Sequence, residues 1–336
     1  MHLYREMTMS FDYGEANKEQ RFAIETTDGP LLIIAGPGTG KTYTLVKRVV
    51  YLITECSVNP EEIMIATFTE KAAKELITRI TNELLNIGIS INLNEMYIGT
   101  FHSICLRILK EHLEYTRIKK NYRMLDNFDQ QYMVFQKINE FRKVEYFDSL
   151  FPNVTGAWRQ AGTIVKYVNN LSEELVDIEA MQMDSDKSIV AIANIMDSYY
   201  FILEQDNLID FASIQTETHR LLLNHPEILG EIREKIKYVM VDEYQDTNYI
   251  QELLVFLIAG ENENICVVGD DDQGLYRFRG ATIRNILEFP GHFEEGICKQ
   301  VKLVTNYRSE KQIIDFYNDW MKTTDGRAYD FLWKNF

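Results

Sequence analysis

Five short apolar runs, rich in β-branched residues, stand out along the chain, and each ends in a polar or glycine-containing segment. The runs are LLIIAG from Leu31, IMIATF from Ile63, MYIGTF from Met96, YVMVDE from Tyr238 and ICVVGD from Ile265. Continuous apolar runs of this length are typical of parallel strands that are buried on both faces. Stretches with helical spacing, such as TLVKRVVYLI and KAAKELITRITNELL, separate the first three runs. This alternation predicts an α/β fold built on a doubly wound parallel sheet.

The alternation stops near Glu111 and resumes near Lys235. The interval has helical periodicity, is rich in Tyr, Asn, Gln and Asp, and contains no run that ends in a phosphate-type loop. We therefore predict an all-helical domain inserted into the α/β domain, with Asp210 as a helix N-cap. Near the start of the chain, Asn17 and Gln20 have the spacing of a capping box for an opening helix.

Composition and charge narrow the picture. A chain of 336 residues is long enough for about two domains. The formal net charge of −16 argues against a protein that holds nucleic acid by bulk charge, so any such binding would depend on a local groove with aromatic stacking. No apolar run approaches the length of a membrane span, and no signal peptide is evident, so we expect a cytoplasmic protein with no membrane partner. The four cysteines, which lack metal-ligand spacing, are Cys56, Cys105, Cys266 and Cys298. We expect them to be free thiols in a reducing compartment.

The segment AGPGTGKT follows the first apolar run and precedes a helical stretch, which is the context of a Walker A phosphate loop. Its glycines would let backbone N–H groups turn toward phosphate oxygens, Lys41 would reach the β and γ phosphates, and the Thr42 hydroxyl would bind Mg²⁺. The alternative is a glycine-rich turn without a ligand. The segment consists of Ala35, Gly36, Pro37, Gly38, Thr39, Gly40, Lys41 and Thr42.

Two carboxylates follow the apolar run YVMV. At the end of a strand, Asp242 fits a Mg²⁺ ligand and Glu243 fits a group that polarises an attacking water. Taken alone, such a pair is as often a solvated turn or a helix cap, and the Walker A loop upstream favours the catalytic interpretation.

Three further segments lie at predicted strand ends. In GDDDQGLYRFRG, aromatic and cationic residues alternate, as a platform for single-stranded nucleic acid requires, although a charged loop with incidental aromatics would look the same. TFTEKAA and GTFHS each place Thr-Phe after a strand. On the residues alone, Phe68 and Phe101 are better explained as core residues and His102 as a turn histidine.

Taken together, these segments resemble the motifs of the superfamily 1A helicases of the UvrD/Rep/PcrA type, in that family's order and approximate spacing, over nearly the whole chain. NKEQ is similar to the Q motif, AGPGTGKT to motif I, TFTEKAA to motif Ia and GTFHS to motif Ib. VDEYQDTN resembles motif II, VVGDDDQGLYRFRGA motif III and TNYRS motif IV. The resemblance implies a RecA-like P-loop NTPase that uses ATP and Mg²⁺ to move along single-stranded DNA in the 3′ to 5′ direction.

The resemblance also implies roles for individual residues. Gln20 would contact the adenine edge and Tyr307 would stack on the base, while Lys41, Thr42, Asp242 and Glu243 keep the roles given above. Gln273 would sense the γ-phosphate, and Arg308 would reach it from the far side of the cleft. The residues implied in DNA contact are Phe68, Thr100, Phe101, His102, Tyr276, Phe278 and Arg279. Two positions depart from the family pattern, since Phe278 stands where Trp is usual and Tyr43 where Arg is common.

The resemblance predicts the domain boundaries. Residues 1–110 and 235–304 would form motor domain 1A, residues 111–234 the helical domain 1B, and residues 305–336 the beginning of a second motor domain, 2A. We expect the rest of that C-terminal motor domain to be missing from this chain, and the DNA partner to be a single strand or a single/double-strand junction. Two other functions stay open: an ATP-binding regulatory or scaffold module, and the motor part of a helicase-nuclease.

Overall fold

The computed structural model describes residues 11–151, 156–270 and 283–323. Its centre is a six-stranded sheet in which every neighbouring pair is parallel, with the spatial order β3-β2-β6-β7-β1-β8. The strands of this sheet are β1 (Leu31–Ala35), β2 (Ile63–Thr67), β3 (Tyr97–Thr100), β6 (Tyr238–Val241), β7 (Ile265–Gly269) and β8 (Lys299–Leu303). All five apolar runs form strands, so the predicted α/β class with a parallel sheet is confirmed.

The sixth strand, β8, was not predicted from the sequence. Its residues, KQVKL, alternate between exposed and buried positions, and it pairs on one side only, with β1. Polar outward positions are characteristic of an edge strand, and they conceal it from a search for continuous apolar runs.

Helices cover both faces of the sheet because alternate strand residues point to opposite sides. Leu32, Met64 and Val239 belong to a core shared with the helices that follow β3 and β6. Leu31, Ile63 and Met240 belong to a second core beneath the helices that follow β1 and β2. These helices are α1 (Lys18–Glu25), α2 (Lys41–Thr54), α3 (Glu70–Asn86), α4 (Phe101–Glu111), α11 (Phe211–Asn224), α12 (Pro226–Lys235), α13 (Tyr249–Ala259) and α14 (Ile283–Glu288). A further helix, α15 (Lys311–Thr323), follows β8, and its Ile313 and Phe316 are exposed.

The interval between α4 and α11 has a core of its own, centred on Phe141, Ile164 and Tyr199. It is mainly helical, and it also contains one short parallel ladder in which β4 (Arg123–Met124) pairs with β5 (Leu208–Ile209). Strands of two residues are too short to produce a recognisable alternation of apolar and polar positions in the sequence. The helices of this interval are α5 (Asn127–Gln136), α6 (Ile138–Phe141), α7 (Phe147–Leu150), α8 (Ala157–Glu173), α9 (Ile178–Gln182) and α10 (Lys187–Gln205).

The predicted helix caps are confirmed. Asn17 and Gln20 form a reciprocal capping box at the start of α1, and the Asp210 carboxylate accepts the Ser213 backbone N–H at the start of α11. No helix in the part of the chain that the structure describes is both long enough and apolar enough to cross a bilayer.

Because the six strands are parallel, their carboxyl ends lie along one edge of the sheet. In open α/β sheets this is the edge at which ligands bind. The predicted phosphate loop follows β1, and the acidic pair follows β6. The segments TFT and GTFHS leave the same edge from β2 and β3.

Candidate nucleotide and DNA site

The loop after β1 is open toward an anion. Gly38 and Gly40 have positive φ angles of 78° and 91°, which glycine adopts without steric cost. Gly40 is the N-cap of α2, and neither a capping side chain nor an acidic residue occupies the first turn of that helix. The first backbone N–H groups of a helix have no partner within the helix, and together with the helix dipole they attract phosphate oxygens.

Lys41 and Glu243 form an ion pair at the centre of the site. Lys41 Nζ lies 2.9 Å from Glu243 Oε2, and both side chains are largely shielded from solvent. Glu243 is not a glycine, yet its φ is 52°, in the left-handed region. Such a backbone costs of order 1–3 kcal/mol and persists only where its surroundings impose it.

Gln245 is one of the groups that hold Glu243, and its role was not predicted from the sequence. Its Nε2 donates to Glu243 Oε2 at 2.8 Å, and its Oε1 accepts the Asp270 N–H at 3.0 Å. Gln245 is 1% exposed, and a Cβ on Gly269 would lie 2.6 Å from its Oε1. The side chain therefore links the carboxylate after β6 to the backbone at the end of β7.

Asp242 lies deeper than Glu243. It is 8% exposed, its N–H donates to the Ala66 carbonyl at 2.9 Å, and its Oδ1 accepts the Glu243 N–H at 3.0 Å. Burial, reinforced by the charge of Glu243 and partly offset by that of Lys41, raises the pKa of Asp242 to about 6. Asp246 has its pKa raised to about 6 for the same reasons.

The donor groups at this site fit Mg²⁺. Thr42 lines a cavity of about 390 Å³ together with Lys41 and Glu243, and Asp242 is the residue before Glu243. A hydroxyl and a carboxylate are hard oxygen ligands, and Mg²⁺ in nucleotide enzymes commonly takes one or two protein oxygens and completes its shell with phosphates and water. Within the described residues, no group of three or more His, Cys, Asp or Glu side chains is arranged to hold a metal ion by itself.

The predicted adenine contacts lie together beside the phosphate loop. Asn17 Nδ2 donates to the Tyr307 hydroxyl at 3.0 Å, and Asn17 Oδ1 accepts the Gln20 N–H. The Tyr307 ring is 56% exposed and therefore accessible to a base. Gln20 is buried, and its amide is already occupied, since Nε2 donates to Thr39 O at 3.1 Å and Oε1 accepts the Asn17 N–H at 3.0 Å.

Residues just beyond β8 pack directly on the phosphate loop. Asn306 Nδ2 donates to Pro37 O at 2.8 Å, and the Tyr307 N–H donates to Gly38 O at 2.8 Å. A Cβ on Gly38 would lie 2.7 Å from Arg308 Cβ, so only glycine allows this approach. Arg308 also lines the nucleotide cavity. Asn306 was not among the predicted site residues, and its contact spans 269 positions of sequence.

Two more residues line the nucleotide cavity without having been predicted, Glu75 and Arg79 of α3. Tyr43, which stands where the family commonly has Arg, also lines this cavity. Its hydroxyl donates to the Tyr13 carbonyl at 2.7 Å, so it fastens the segment before α1 to α2.

A second cavity, of about 60 Å³, lies between the acidic pair and the ends of β2 and β3. Phe68, Thr100 and His102 line one side, and Asp242, Glu243, Asp246 and Gln251 line the other. The Thr100 hydroxyl caps α4 by accepting the Ser103 N–H and donates to Glu70 Oε1. His102 Nε2 lies 2.6 Å from Gln215 Nε2 of α11, and burial lowers the pKa of His102.

Not every predicted DNA contact is exposed. Phe101 is 5% exposed and belongs to the core beneath β3, as the interpretation from the residues alone had favoured, and it also lines the smaller cavity. Phe68 is half-buried at the cavity wall. The remaining predicted residues of motif III lie outside the described residues, and they are Gln273, Tyr276, Phe278 and Arg279.

Comparison with known proteins gives a consistent result. A family model described as the UvrD/REP helicase N-terminal domain matches residues 16–294. The ATP-dependent DNA helicase PcrA of Staphylococcus epidermidis (strain ATCC 35984) is 36% identical over 318 residues, covering 94% of this chain and 41% of that protein. The protein of the same name from Staphylococcus aureus (strain Mu50) is 35% identical over 318 residues, with the same shares. The chain thus spans about two-fifths of the length of these relatives.

Proposed function

This chain belongs to the UvrD/REP helicase family, and from that membership we propose that it is the ATP-binding part of a DNA helicase that couples ATP hydrolysis to movement along single-stranded DNA. In this proposal residues 1–110 and 235–304 form motor domain 1A, residues 111–234 domain 1B, and residues 305–336 the beginning of domain 2A. The 3′ to 5′ direction and a cytoplasmic location belong to the same proposal. The four cysteines, all within the described ranges, are free thiols, which agrees with a reducing compartment.

One observation carries the proposal: Glu243 lines both cavities. On one side it shares the nucleotide cavity with Lys41 and Thr42, and on the other it shares the smaller cavity with Thr100 and His102. A movement of this side chain would change the shape and the charge of both cavities. Such a shared wall would let DNA in one cavity influence hydrolysis in the other.

The proposed chemistry begins with Lys41. The ion pair with Glu243 satisfies both charges when no nucleotide is bound. A triphosphate at the N-terminus of α2 would attract Lys41 and leave the Glu243 carboxylate free to accept a proton from the attacking water. Gln245 would hold that carboxylate in place.

Thr42 and Asp242 would hold Mg²⁺, which when bound supplies positive charge to the phosphate oxygens. Tyr307 would stack on the base and Gln20 would contact the adenine edge, while one N–H of the Gln20 amide holds the phosphate loop through Thr39 O. Arg308, which lines the same cavity, would add a second positive charge toward the γ-phosphate. Gln273 would sense the γ-phosphate and transmit its presence to the neighbouring residues that bind DNA. Phe68, Tyr276, Phe278 and Arg279 would contact the strand, with Thr100, Phe101 and His102 beside it.

The test is the ATPase rate of residues 1–336 with and without single-stranded oligothymidine, and with Lys41→Ala as the control. We expect slow hydrolysis that single-stranded DNA accelerates, and no hydrolysis in Lys41→Ala. Nucleotide binding with a rate that DNA does not change would instead favour the regulatory or scaffold module.

A further inference from the structure

Four aromatic side chains form an exposed patch on the helical interval, on α5 and the first turn of α8. The exposed fractions are 64% for Phe128, 43% for Tyr132, 37% for Phe135 and 40% for Trp158. Their ring centroids lie 6.2 Å apart for Phe128–Tyr132, 6.4 Å for Tyr132–Phe135, 5.8 Å for Phe128–Trp158 and 5.5 Å for Phe135–Trp158. We call these four residues the aromatic patch.

The patch is a face of α5 that the core does not use. Phe128, Tyr132 and Phe135 have the i, i+4, i+7 spacing of one helix face, while Met133 and Val134 are buried in the core behind them. A contiguous group of exposed rings, in contrast to scattered ones, marks an interaction surface.

The position of the patch connects it to the predicted DNA contacts. The parallel pairing of β4 with β5 makes α5 and α11 begin side by side, each with an aspartate N-cap, Asp126 and Asp210. At the start of α11, Phe211 is 45% exposed and packs edge-on against His102, with 5.6 Å between ring centroids. Phe211 therefore extends the aromatic residues of motif Ib to the start of α11, which lies beside the start of α5.

The charges around the patch favour a polyanion. The exposed Arg142 donates to the neutral amide oxygen of Gln160, two residues along the chain from Trp158. Arg159 is exposed, and neither guanidinium forms an ion pair within the described part of the chain. The acidic neighbour of Phe128, Asp129, is neutralised by Arg123 at 3.0 Å. Two arginines outside any described ion pair thus lie in the chain segments that carry the four rings.

We propose that the aromatic patch is a second base-stacking platform for single-stranded nucleic acid, with Arg142 and Arg159 gripping the backbone. The platform extends the DNA path that begins at His102. This inference rests on the proposed function, because the same single strand would contact the patch and the cavity beside His102. Rings that stack on bases, with cations at their border, are the means by which acidic proteins hold single strands.

The first experiment compares Phe128→Ala/Tyr132→Ala with the unchanged chain and with Phe201→Ala, a control ring that is 61% exposed on α10. Affinities are measured for oligothymidines of about 8 and about 24 nucleotides. We expect the double variant to lose about 10- to 100-fold for the long strand and to keep the short-strand affinity, with unchanged melting temperature. Phe201→Ala should match the unchanged chain with both strands.

The second experiment asks whether a base touches the patch directly. The chain has three tryptophans, so Trp320→Phe/Trp333→Phe leaves Trp158 as the single tryptophan. We expect the long oligothymidine to quench its fluorescence, and the short one to leave it unchanged.

The outcomes separate this inference from the proposed function. If the unchanged chain binds both strands and the double variant binds the long strand equally well, without quenching of Trp158, the patch is not a nucleic-acid surface and belongs to another partner. If the unchanged chain binds neither strand, the proposed function fails for this chain, and the inference fails with it.

Discussion

At the scale of single residues, the opposite charges of the site neutralise one another. Lys41 pairs with Glu243, and Gln245 donates to the same carboxylate oxygen. The strained backbone of Glu243 is stabilised by these bonds. Nucleotide binding must therefore break an existing ion pair before Lys41 can reach a phosphate.

Glu243→Gln tests this competition. Because the amide cannot hold Lys41 by charge, we expect the Mg·ATP dissociation constant to fall about 2- to 5-fold, which corresponds to a partly exposed ion pair of up to about 1 kcal/mol. Hydrolysis should be lost, since the amide cannot accept a proton. The measurement is titration with a fluorescent ATP analogue followed by single-turnover hydrolysis. Weaker binding, or an unchanged hydrolysis rate, would contradict the assigned role of Glu243.

Asp242→Asn tests the cost of the buried carboxylate. Burial raises the pKa of Asp242 from 3.8 to about 6, so the folded state holds a proton that the unfolded state releases between these values. The contribution of this group to stability therefore falls as the pH rises from about 4 to about 6, and stays low above that. We expect the variant to be more stable than the unchanged chain by about 1–3 kcal/mol at pH 8 in EDTA, with no gain at pH 4.

Urea denaturation at the two pH values gives this difference. Asp148→Asn, at an exposed position, is the control and should change stability little at either pH. A loss of stability in Asp242→Asn at pH 8 would mean that Lys41 compensates the carboxylate fully.

At the scale of elements, the prediction succeeded where a strand is buried on both faces. Four of the five apolar runs form the central strands β1, β2, β6 and β7, which must be apolar because helices cover both faces of the sheet. The fifth run forms β3, an edge strand whose residues are all buried or half-buried. β8 is an edge strand with alternating polar residues, and β4 and β5 are two residues long, so none of these three carries a sufficient local signal. The order of strands in the sheet is a long-range property that no single run contains.

The distinction between local signals and long-range contacts also applies to the site residues. Phosphate-loop and acidic residues could be predicted because their chemistry is concentrated in short segments. Gln245 and Asn306 could not, since each acts through a contact with a distant strand end or loop. Phe101 is the opposite case, because it lies within a recognised motif but its side chain is buried in the core.

Gly38→Ala tests how closely the segment after β8 must pack on the phosphate loop. The control is Gly88→Ala, because Gly88 has a φ of 79° against 78° for Gly38, and a Cβ added there would meet no atom within 4 Å. Both substitutions should cost about 1–2 kcal/mol for the left-handed backbone. Gly38→Ala should cost about 1–3 kcal/mol more, from the clash with Arg308 and Asn306, and should also weaken ATP binding.

Thermal denaturation and nucleotide titration of the two variants provide the comparison. Equal losses of stability, with ATP affinity kept in both, would show that the segment can move away from the loop without consequence.

At the scale of the whole molecule, the net charge of −16 predicts how DNA binding responds to salt. Binding that relies on stacking and few cations should release few counterions. For three or four phosphate contacts we expect a slope of log K against log salt of about −2 to −3 on single strands. Titrations of oligothymidine from low to moderate salt give the slope. A much steeper dependence would point to an extensive cationic surface.

Strand displacement by residues 1–336 alone is expected to fail. In the proposed architecture ATP lies between two motor domains, and a motor changes its grip on DNA as these domains close and open. The described chain supplies the phosphate loop and one short facing segment around Tyr307 and Arg308. The measurement is a displacement assay on a duplex with a 3′ single-stranded tail. Robust unwinding would refute the proposed domain assignment.

The order of the strands determines which strands still lack a partner while the chain is being synthesised. The neighbours of β1 in the sheet are β7 and β8, and those of β2 are β3 and β6, so β1 and β2 never pair with each other. The strands that join them, β6 and β7, are synthesised only after the whole helical interval, roughly 140 residues after β3. At about 5–20 residues per second this is a wait of roughly 7 to 30 s. During that time β1 displays LLIIA without a partner, which makes the nascent chain a natural client for a chaperone that binds short apolar segments.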